Sequence, residues 1–217
     1  MLMYISNIRA YLFDFDGTLV NSMPIFLAAM LQILDDHQIP YEQDIVKNIT
    51  PLGFDGTADY FIKLGLNLPK KEIIASMKAH MLDEYLFSIP AKNNVVSVLH
   101  QLKARGNHLF VLTASPHATL DPCLKRIGIY DLFDGVWSCD DFLTTKADPN
   151  IYKMAAAKIG EDIQNILFLD DNLNADATAK AAGMLVCGVY DDSSKDYIEQ
   201  IKAISDSYIY DFQELIT

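Results

Sequence analysis

Cysteine is scarce in this chain. Three of 217 residues are cysteine: Cys123, Cys139 and Cys187. They are odd in number, widely spaced and form no CxxC pair, so neither a disulfide framework nor a zinc site is expected. Free thiols, buried or half-buried in a reducing compartment, are expected instead. Basic charge is also short. Lys and Arg together number 17 against 29 Asp and Glu, for a net charge of -12. A protein that neutralises many phosphates needs a basic face, so nucleic acid is not expected as a partner. No apolar run approaches about 18 residues, the length that crosses a membrane. The stretch from Met1 to Arg9 lacks the basic and apolar regions of a signal peptide, so a cytoplasmic location is the default expectation. Low-complexity tracts, like-charge blocks and internal repeats are missing too. What remains is ordinary for a globular protein, 51% apolar and 21% charged. The length suits one domain with an inserted module.

The apolar pattern has two regimes. Ala10 to Phe15 is a short, nearly continuous apolar run of the kind that forms a buried parallel strand. Similar runs recur at His108–Thr113, Gly135–Ser138, Asn165–Asp170 and Met184–Tyr190. Helical patterns separate most of them. Val95 to Arg105 puts Val95, Val98, Leu99 and Leu102 on one face before Gly106. Pro149 to Ile159 opens on a proline and stops before Gly160, and Ala175 to Ala182 stops at Gly183. This alternation predicts an α/β fold with a doubly wound, mostly parallel, Rossmann-like sheet. Between the first strand and Pro90 only helical signals occur. Ser22 is the expected N-cap ahead of Pro24, and Phe26, Met30, Ile33 and Leu34 repeat at helical spacing. Pro69 opens a second helix with Ile73, Ile74, Met77 and Met81 on one face. The expected division is a core of residues 1–19 and 91–217 with an all-helical insertion, 20–90, whose hinges lie near Val20 and Pro90.

In open parallel sheets, ligands bind beyond the carboxyl ends of the strands. The first strand runs into Asp14-Phe15-Asp16-Gly17-Thr18-Leu19, the second into Thr113-Ala114-Ser115, and the fourth into Asp170-Asp171-Asn172. Lys146 lies just before the helix that Pro149 opens. Four carboxylates brought that close repel one another and raise their own pKa values. A divalent cation and Lys146 both relieve the repulsion. Hard oxygen donors without His or Cys suit Mg²⁺ rather than Zn²⁺. The same charges neutralise a phosphoryl group, whose transfer needs little beyond positioning and neutralisation. Gly17 fits a sharp backbone turn beside a ligand.

Asp14-Phe15-Asp16-Gly17-Thr18-Leu19 resembles the first motif of the haloacid dehalogenase-like phosphatases. Thr113 after Leu109–Leu112, then Lys146 with Asp148, Pro149 and Tyr152, then Asp170-Asp171-Asn172 running on to Gly183 and Met184, resemble the other three in order. Each motif alone is weak, since a turn, a strand threonine, a surface lysine and an acidic pair are all common. Their joint order is specific. The helical insertion is similar to the small cap of the phosphoglycolate phosphatase and beta-phosphoglucomutase branch. The resemblance implies Asp14 as nucleophile, Asp16 as general acid and base, Thr113 as a hydrogen-bond partner of the transferring group, and Lys146 as holder of Asp14 and the phosphoryl charge. It implies Mg²⁺ on Asp14, the Asp16 carbonyl and Asp171, with Asp170 acting nearby. Gly17, Thr18, Ala114 and Ser115 are expected to line the phosphoryl site. Ala175, Lys-Ala-Asp-Pro at 146–149 and Asn21 depart from the usual pattern and leave the outer metal ligand open.

The expected activity is therefore Mg²⁺-dependent hydrolysis of a small phosphorylated metabolite through an aspartyl-phosphate, by a monomer or weak dimer. A sugar-phosphate mutase is the alternative. Such mutases carry a histidine about a dozen residues after the nucleophile, where this chain has Ile25, Phe26 and Leu27. A non-catalytic phospho-ligand-binding protein is the third reading, and the intact acids weigh against it. Asp16 also weighs against dehalogenase and phosphonatase chemistry. Lys47, Lys63 and the loop from Thr50 to Phe54 are candidates for specificity. His117 is expected to be an exposed first-turn residue or, alternatively, part of a phosphate-binding helix start. The insertion's methionines are expected to be core.

Overall fold

The computed structural model describes residues 8–42, 45–49 and 52–216. The chain divides into two compact units, Met1–Asn21 with Pro90–Thr217, and Ser22–Ile89. The first unit is built on a six-stranded sheet. Its strands are β1 (Ala10–Phe13), β2 (His108–Thr113), β3 (Gly135–Ser138), β4 (Ile166–Asp170), β5 (Leu185–Val189) and β6 (Ser207–Ile209). Their order is β3-β2-β1-β4-β5-β6 and every pairing is parallel. All four residues of β1 and all five of β4 are buried, as strands covered on both faces require. The chain works outward from β1 to β3, then restarts at β4 on the other side. The order therefore reverses between β1 and β4, where the carboxyl ends of neighbouring strands diverge and leave a crevice.

Helices α5 (Val95–Ala104), α6 (His117–Arg126), α7 (Pro149–Ile159), α8 (Leu173–Ala182) and α9 (Ile198–Ile204) connect these strands. Those beside the site start and stop on identifiable signals. Asp148 accepts from the Asn150 amide and Asn172 from the Asn174 and Ala175 amides, while Gly160 and Gly183 end α7 and α8 in the left-handed region. Ala10, Leu12, Ile151, Tyr152, Ala155, Phe168, Ala179 and Val186 belong to one core cluster of this unit.

The second unit holds α1 (Met23–Asp36), α2 (Ile45–Ile49), α3 (Gly53–Lys63) and α4 (Lys70–Phe87). It has its own core, with Met30, Ile33, Leu34, Phe61, Ile73 and Met77 fully enclosed. Of the insertion's four methionines Met30 and Met77 are buried, whereas Met23 and Met81 are only half-buried. No helix among the described residues is long and apolar enough to cross a membrane. All three cysteines are free and buried.

Several expectations need correction. β1 stops at Phe13, two residues early, because Asp14 and Phe15 already enter the turn that carries the site. β6 has no counterpart in the sequence reading, because three residues are too few to show a period. Ser22 precedes α1 but does not cap it. Its backbone is already helical, and its buried hydroxyl has no hydrogen-bond partner among the described residues. Lys63 ends α3 exposed to solvent. The Lys47 side chain, Thr50 and Pro51 lie outside the described residues.

Candidate active site

The site is assembled at the reversal point. The Asp14 amide donates to the Leu169 carbonyl at 2.8 Å, continuing the β1–β4 ladder by one residue. The chain then turns back on itself. The Leu19 and Val20 amides both donate to the Phe15 carbonyl, and the Gly17 amide donates to the Val20 carbonyl at 3.0 Å. Gly17 has φ +76°. A Cβ there would lie 2.6 Å from both carboxylate oxygens of Asp171, so only glycine fits between turn and acid. The next residue, Thr18, donates its hydroxyl to Asp171 Oδ1 at 3.1 Å.

Lys146 reaches in from the loop before α7. Its Nζ lies 2.7 Å from Asp14 Oδ1 and 2.7 Å from Asp170 Oδ2. The contact with Asp14 is a close charge pair without an aligned hydrogen bond. Tyr152, one turn into α7, holds this loop down. Its hydroxyl lies 3.1 Å from both the Lys146 and Ala175 carbonyls, sharing one proton between them. Asp170 is fully engaged, since its other oxygen accepts from the Asn172 amide at 2.8 Å. Thr113 is buried at the end of β2, where its hydroxyl oxygen accepts from the Ser115 amide at 3.1 Å. Ser115 in turn donates to Asp16 Oδ2 at 2.5 Å. Ala114 is exposed between them.

The structure thus brings Asp14, Asp170, Asp171 and Lys146 into direct association, and ties Asp16 to the Thr113–Ser115 loop. Thr18 and Ser115, expected to line the phosphoryl site, donate their hydroxyl protons to Asp171 and Asp16. His117 is neither a bystander nor free for phosphate. Its Nδ1 lies 2.8 Å from Asp121 Oδ1 and its Nε2 2.9 Å from Asp141 Oδ2.

Charge is crowded here. Burial pushes the Asp170 carboxyl up to about 7, with the Asp14 charge adding and Lys146 opposing. Burial and the charges of Asp170, Asp14 and Asp191 hold Asp171 well above the carboxylate range. Burial works against the Lys146 ammonium, but Asp14 and Asp170 outweigh it and keep the group charged far into alkali. One lysine cannot balance three ionised acids, and the raised Asp170 and Asp171 carboxyls reflect that repulsion together with burial. One oxygen each from Asp14, Asp170 and Asp171 can lie within 4.8 Å of the others, all three residues being buried. That all-oxygen donor set fits a hard divalent cation. The Asp16 carboxylate is outside this set, and its hydroxyl partner lies on the β2 loop.

Three residues escaped the sequence reading. Asp176 in α8 is fully buried, and neither carboxylate oxygen has a hydrogen-bond partner among the described residues. Burial first, then Asp170 and Asp171, push it up to about 10. Its signal was visible as an acid flanked by Ala175 and Ala179 on the buried face of the helix. Lys92 and Asp191, 3.1 Å apart, left no such signal.

A family model described as haloacid dehalogenase-like hydrolase matches residues 8–183. The chain is 30% identical over 184 residues to the pyrophosphatase PpaX of Bacillus velezensis, covering 84% of this chain and 83% of that one. It is 28% identical over 190 residues to the phosphoglycolate phosphatase of Yersinia pseudotuberculosis, covering 84% and 81%. A crystal structure described as a predicted phosphoglycolate phosphatase from Haemophilus somnus 129PT superposes with a TM-score of 0.83 at 25% identity, covering 98% of each chain. The chain belongs to the haloacid dehalogenase-like hydrolases and is a phosphatase, a phosphoric monoester hydrolase, of that family.

Proposed function

We propose that the protein is a Mg²⁺-dependent phosphatase of small phosphorylated metabolites that works through an aspartyl-phosphate on Asp14. The observation that carries this reading is the Lys146 ammonium set between Asp14 and Asp170 with Asp171 alongside. Asp14 attacks phosphorus as its bond to the leaving oxygen breaks, and Asp16 gives that oxygen a proton. Asp16 then takes a proton from water as the water attacks the same phosphorus, and the bond to Asp14 breaks. Ser115 fixes the orientation of Asp16 for both transfers, and Thr113 fixes the Ser115 loop while facing the transferring group. Lys146 pairs with Asp14 and neutralises phosphoryl charge. Asp14, Asp171 and the Asp16 carbonyl would hold Mg²⁺, which supplies the remaining charge neutralisation. Asp170, with both oxygens engaged, acts as the holder of Lys146. The unit Ser22–Ile89 serves as the cap that selects the organic part of the substrate, because the core site recognises only phosphate and charge. The three free, buried thiols suit a reducing compartment.

The test uses p-nitrophenyl phosphate, pyrophosphate, 2-phosphoglycolate and beta-glucose 1-phosphate with a trace of the 1,6-bisphosphate. Wild type should release inorganic phosphate from at least one of them, only with Mg²⁺, and EDTA should stop it. Asp14→Asn should lower kcat by about a thousandfold or more, since an amide is a poor nucleophile. Retention of a tenth of the wild-type kcat, or full activity in EDTA, would remove Asp14 and the metal from the mechanism. Formation of glucose 6-phosphate faster than free phosphate would replace the phosphatase with a mutase.

A further inference from the structure

Lys92 lies just inside the first unit, two residues after its return crossing at Pro90. Its ammonium is oriented toward the interior. Nζ donates to the Gly17 carbonyl at 2.6 Å, to the Tyr190 carbonyl at 2.5 Å and to Asp191 Oδ2 at 3.1 Å. The side chain is 17% exposed and that of Asp191 4%. An ammonium has three protons, and here three converging oxygens use them. Two of these acceptors are main-chain carbonyls, which need no cation for charge balance. Their capture fixes backbone position.

The position fixed is that of the catalytic turn. The Gly17 carbonyl held by Lys92 belongs to the residue whose Cα packs against the Asp171 carboxylate. Asp16 precedes it, and Thr18, hydrogen-bonded to Asp171, follows it. The backbone around Lys92 makes the same connection. The Lys92 amide donates to the Leu19 carbonyl at 3.0 Å, and Val20 bridges to Ala91. Tyr190 and Asp191 follow the end of β5. We propose that Lys92 is a positioning residue for the phosphoryl transfer, a three-point clamp that locks the Asp16–Thr18 turn to the end of β5 and so sets Asp171 and Asp16. The proposal rests on the phosphatase reading above for its kinetic consequences, but not for its effect on the metal site.

The rival explanation is that Lys92 only neutralises buried Asp191. Three variants separate the two: Lys92→Met, Lys92→Arg and Asp191→Asn. Each is assayed for kcat and KM with p-nitrophenyl phosphate and Mg²⁺, for Mg²⁺ affinity by calorimetry without substrate, and for unfolding temperature. Lys92→Met should lower kcat about thirtyfold with KM within about threefold, because misplacement of groups that act in the transition state falls on kcat. It should also weaken Mg²⁺ binding by about fivefold or more, since Asp171 loses its backstop. Lys92→Arg should recover the unfolding temperature but not kcat, because a planar guanidinium cannot give three converging protons to these oxygens. Asp191→Asn removes the buried charge but keeps an oxygen at the third point of the clamp, so it should lower the unfolding temperature while kcat falls far less than in Lys92→Met. The clamp is overturned if Lys92→Met, or Lys92→Arg should the first not fold, keeps both kcat and Mg²⁺ affinity within about threefold of wild type. It is equally overturned if Asp191→Asn loses as much kcat as Lys92→Met. A wild type with no activity on phosphate esters would speak against the phosphatase reading alone, and the Mg²⁺ titrations would still decide the clamp.

Discussion

Gly17 is where backbone conformation and the acidic site constrain each other. Its φ of +76° disfavours any side chain, and the space for a Cβ is already filled by Asp171. Gly17→Ala should therefore cost about 1–3 kcal/mol from backbone strain alone. It should also push Asp171 away from the turn, so that Mg²⁺ binds more weakly and kcat falls. Calorimetric titration and denaturant unfolding check the two effects separately. An alanine variant with unchanged Mg²⁺ affinity would show that Asp171 does not depend on the turn. The positions of Asp14, Asp16, Thr113, Lys146, Asp170 and Asp171 were legible because each sits where an apolar run ends or a proline opens a helix. Their hydroxyl partners were not. Thr18 donates to Asp171 and Ser115 to Asp16, contacts between residues 153 and 99 positions apart. Lys92 was illegible for the same reason. Its acceptors lie 75 and 98 residues away, and no local pattern records a contact of that range.

Helix α6 illustrates the same limit for an element. His117 opens it, pairs with Asp121 one turn on, and reaches Asp141 in the short turn after β3. Hydrogen bonds to the carboxylates of Asp121 and then Asp141 raise its pKa against a smaller effect of burial. Burial works to raise the Asp141 carboxyl, but His117 and the Ser138 amide together bring it below the usual carboxylate value. Because the folded-state pKa of the histidine is raised, its contribution is complete below the unfolded value of about 6.5 and disappears as pH rises through the higher folded value. The unfolding temperature of wild type should therefore fall across that window, and that of His117→Gln should be flatter. The side chain is 41% exposed, so solvent screening keeps the effect small. Identical pH profiles for the two proteins would remove the histidine bridge from the account. α5 and α7 were readable because their apolar spacing and their stops agree, and β1, β2, β4 and β5 because parallel strands covered on both faces are apolar over most of their length. β6 is too short to declare itself, and the Ser22 hydroxyl, expected to cap α1, is buried with no hydrogen-bond partner among the described residues.

At the scale of the whole molecule, two separate cores carry unequal electrostatic loads. The acids of the site belong to the unit formed by Met1–Asn21 and Pro90–Thr217, while Ser22–Ile89 encloses its own apolar cluster. Mg²⁺ should stabilise only the first. At about a hundred times its Kd the ion should add about 2.7 kcal/mol to that unit. Scanning calorimetry in Mg²⁺ and in EDTA should then show one transition moving and the other staying in place. Two transitions that shift together would mean that the ion acts on both units. The backbone where the units join has a wider consequence. The Asn21 amide donates to the Pro90 carbonyl at 3.0 Å, so the chain leaves the core and re-enters it one hydrogen bond apart. To the core, Ser22–Ile89 is a folded insert with its own apolar cluster, so closing it costs far less than closing a flexible loop of that length. Any folded module whose ends meet could be spliced at that point without disturbing the strand order or the phosphate chemistry. With the insert selecting the substrate as proposed above, exchange of the entire insert would change the substrate range while the acids of the core stay under separate selection.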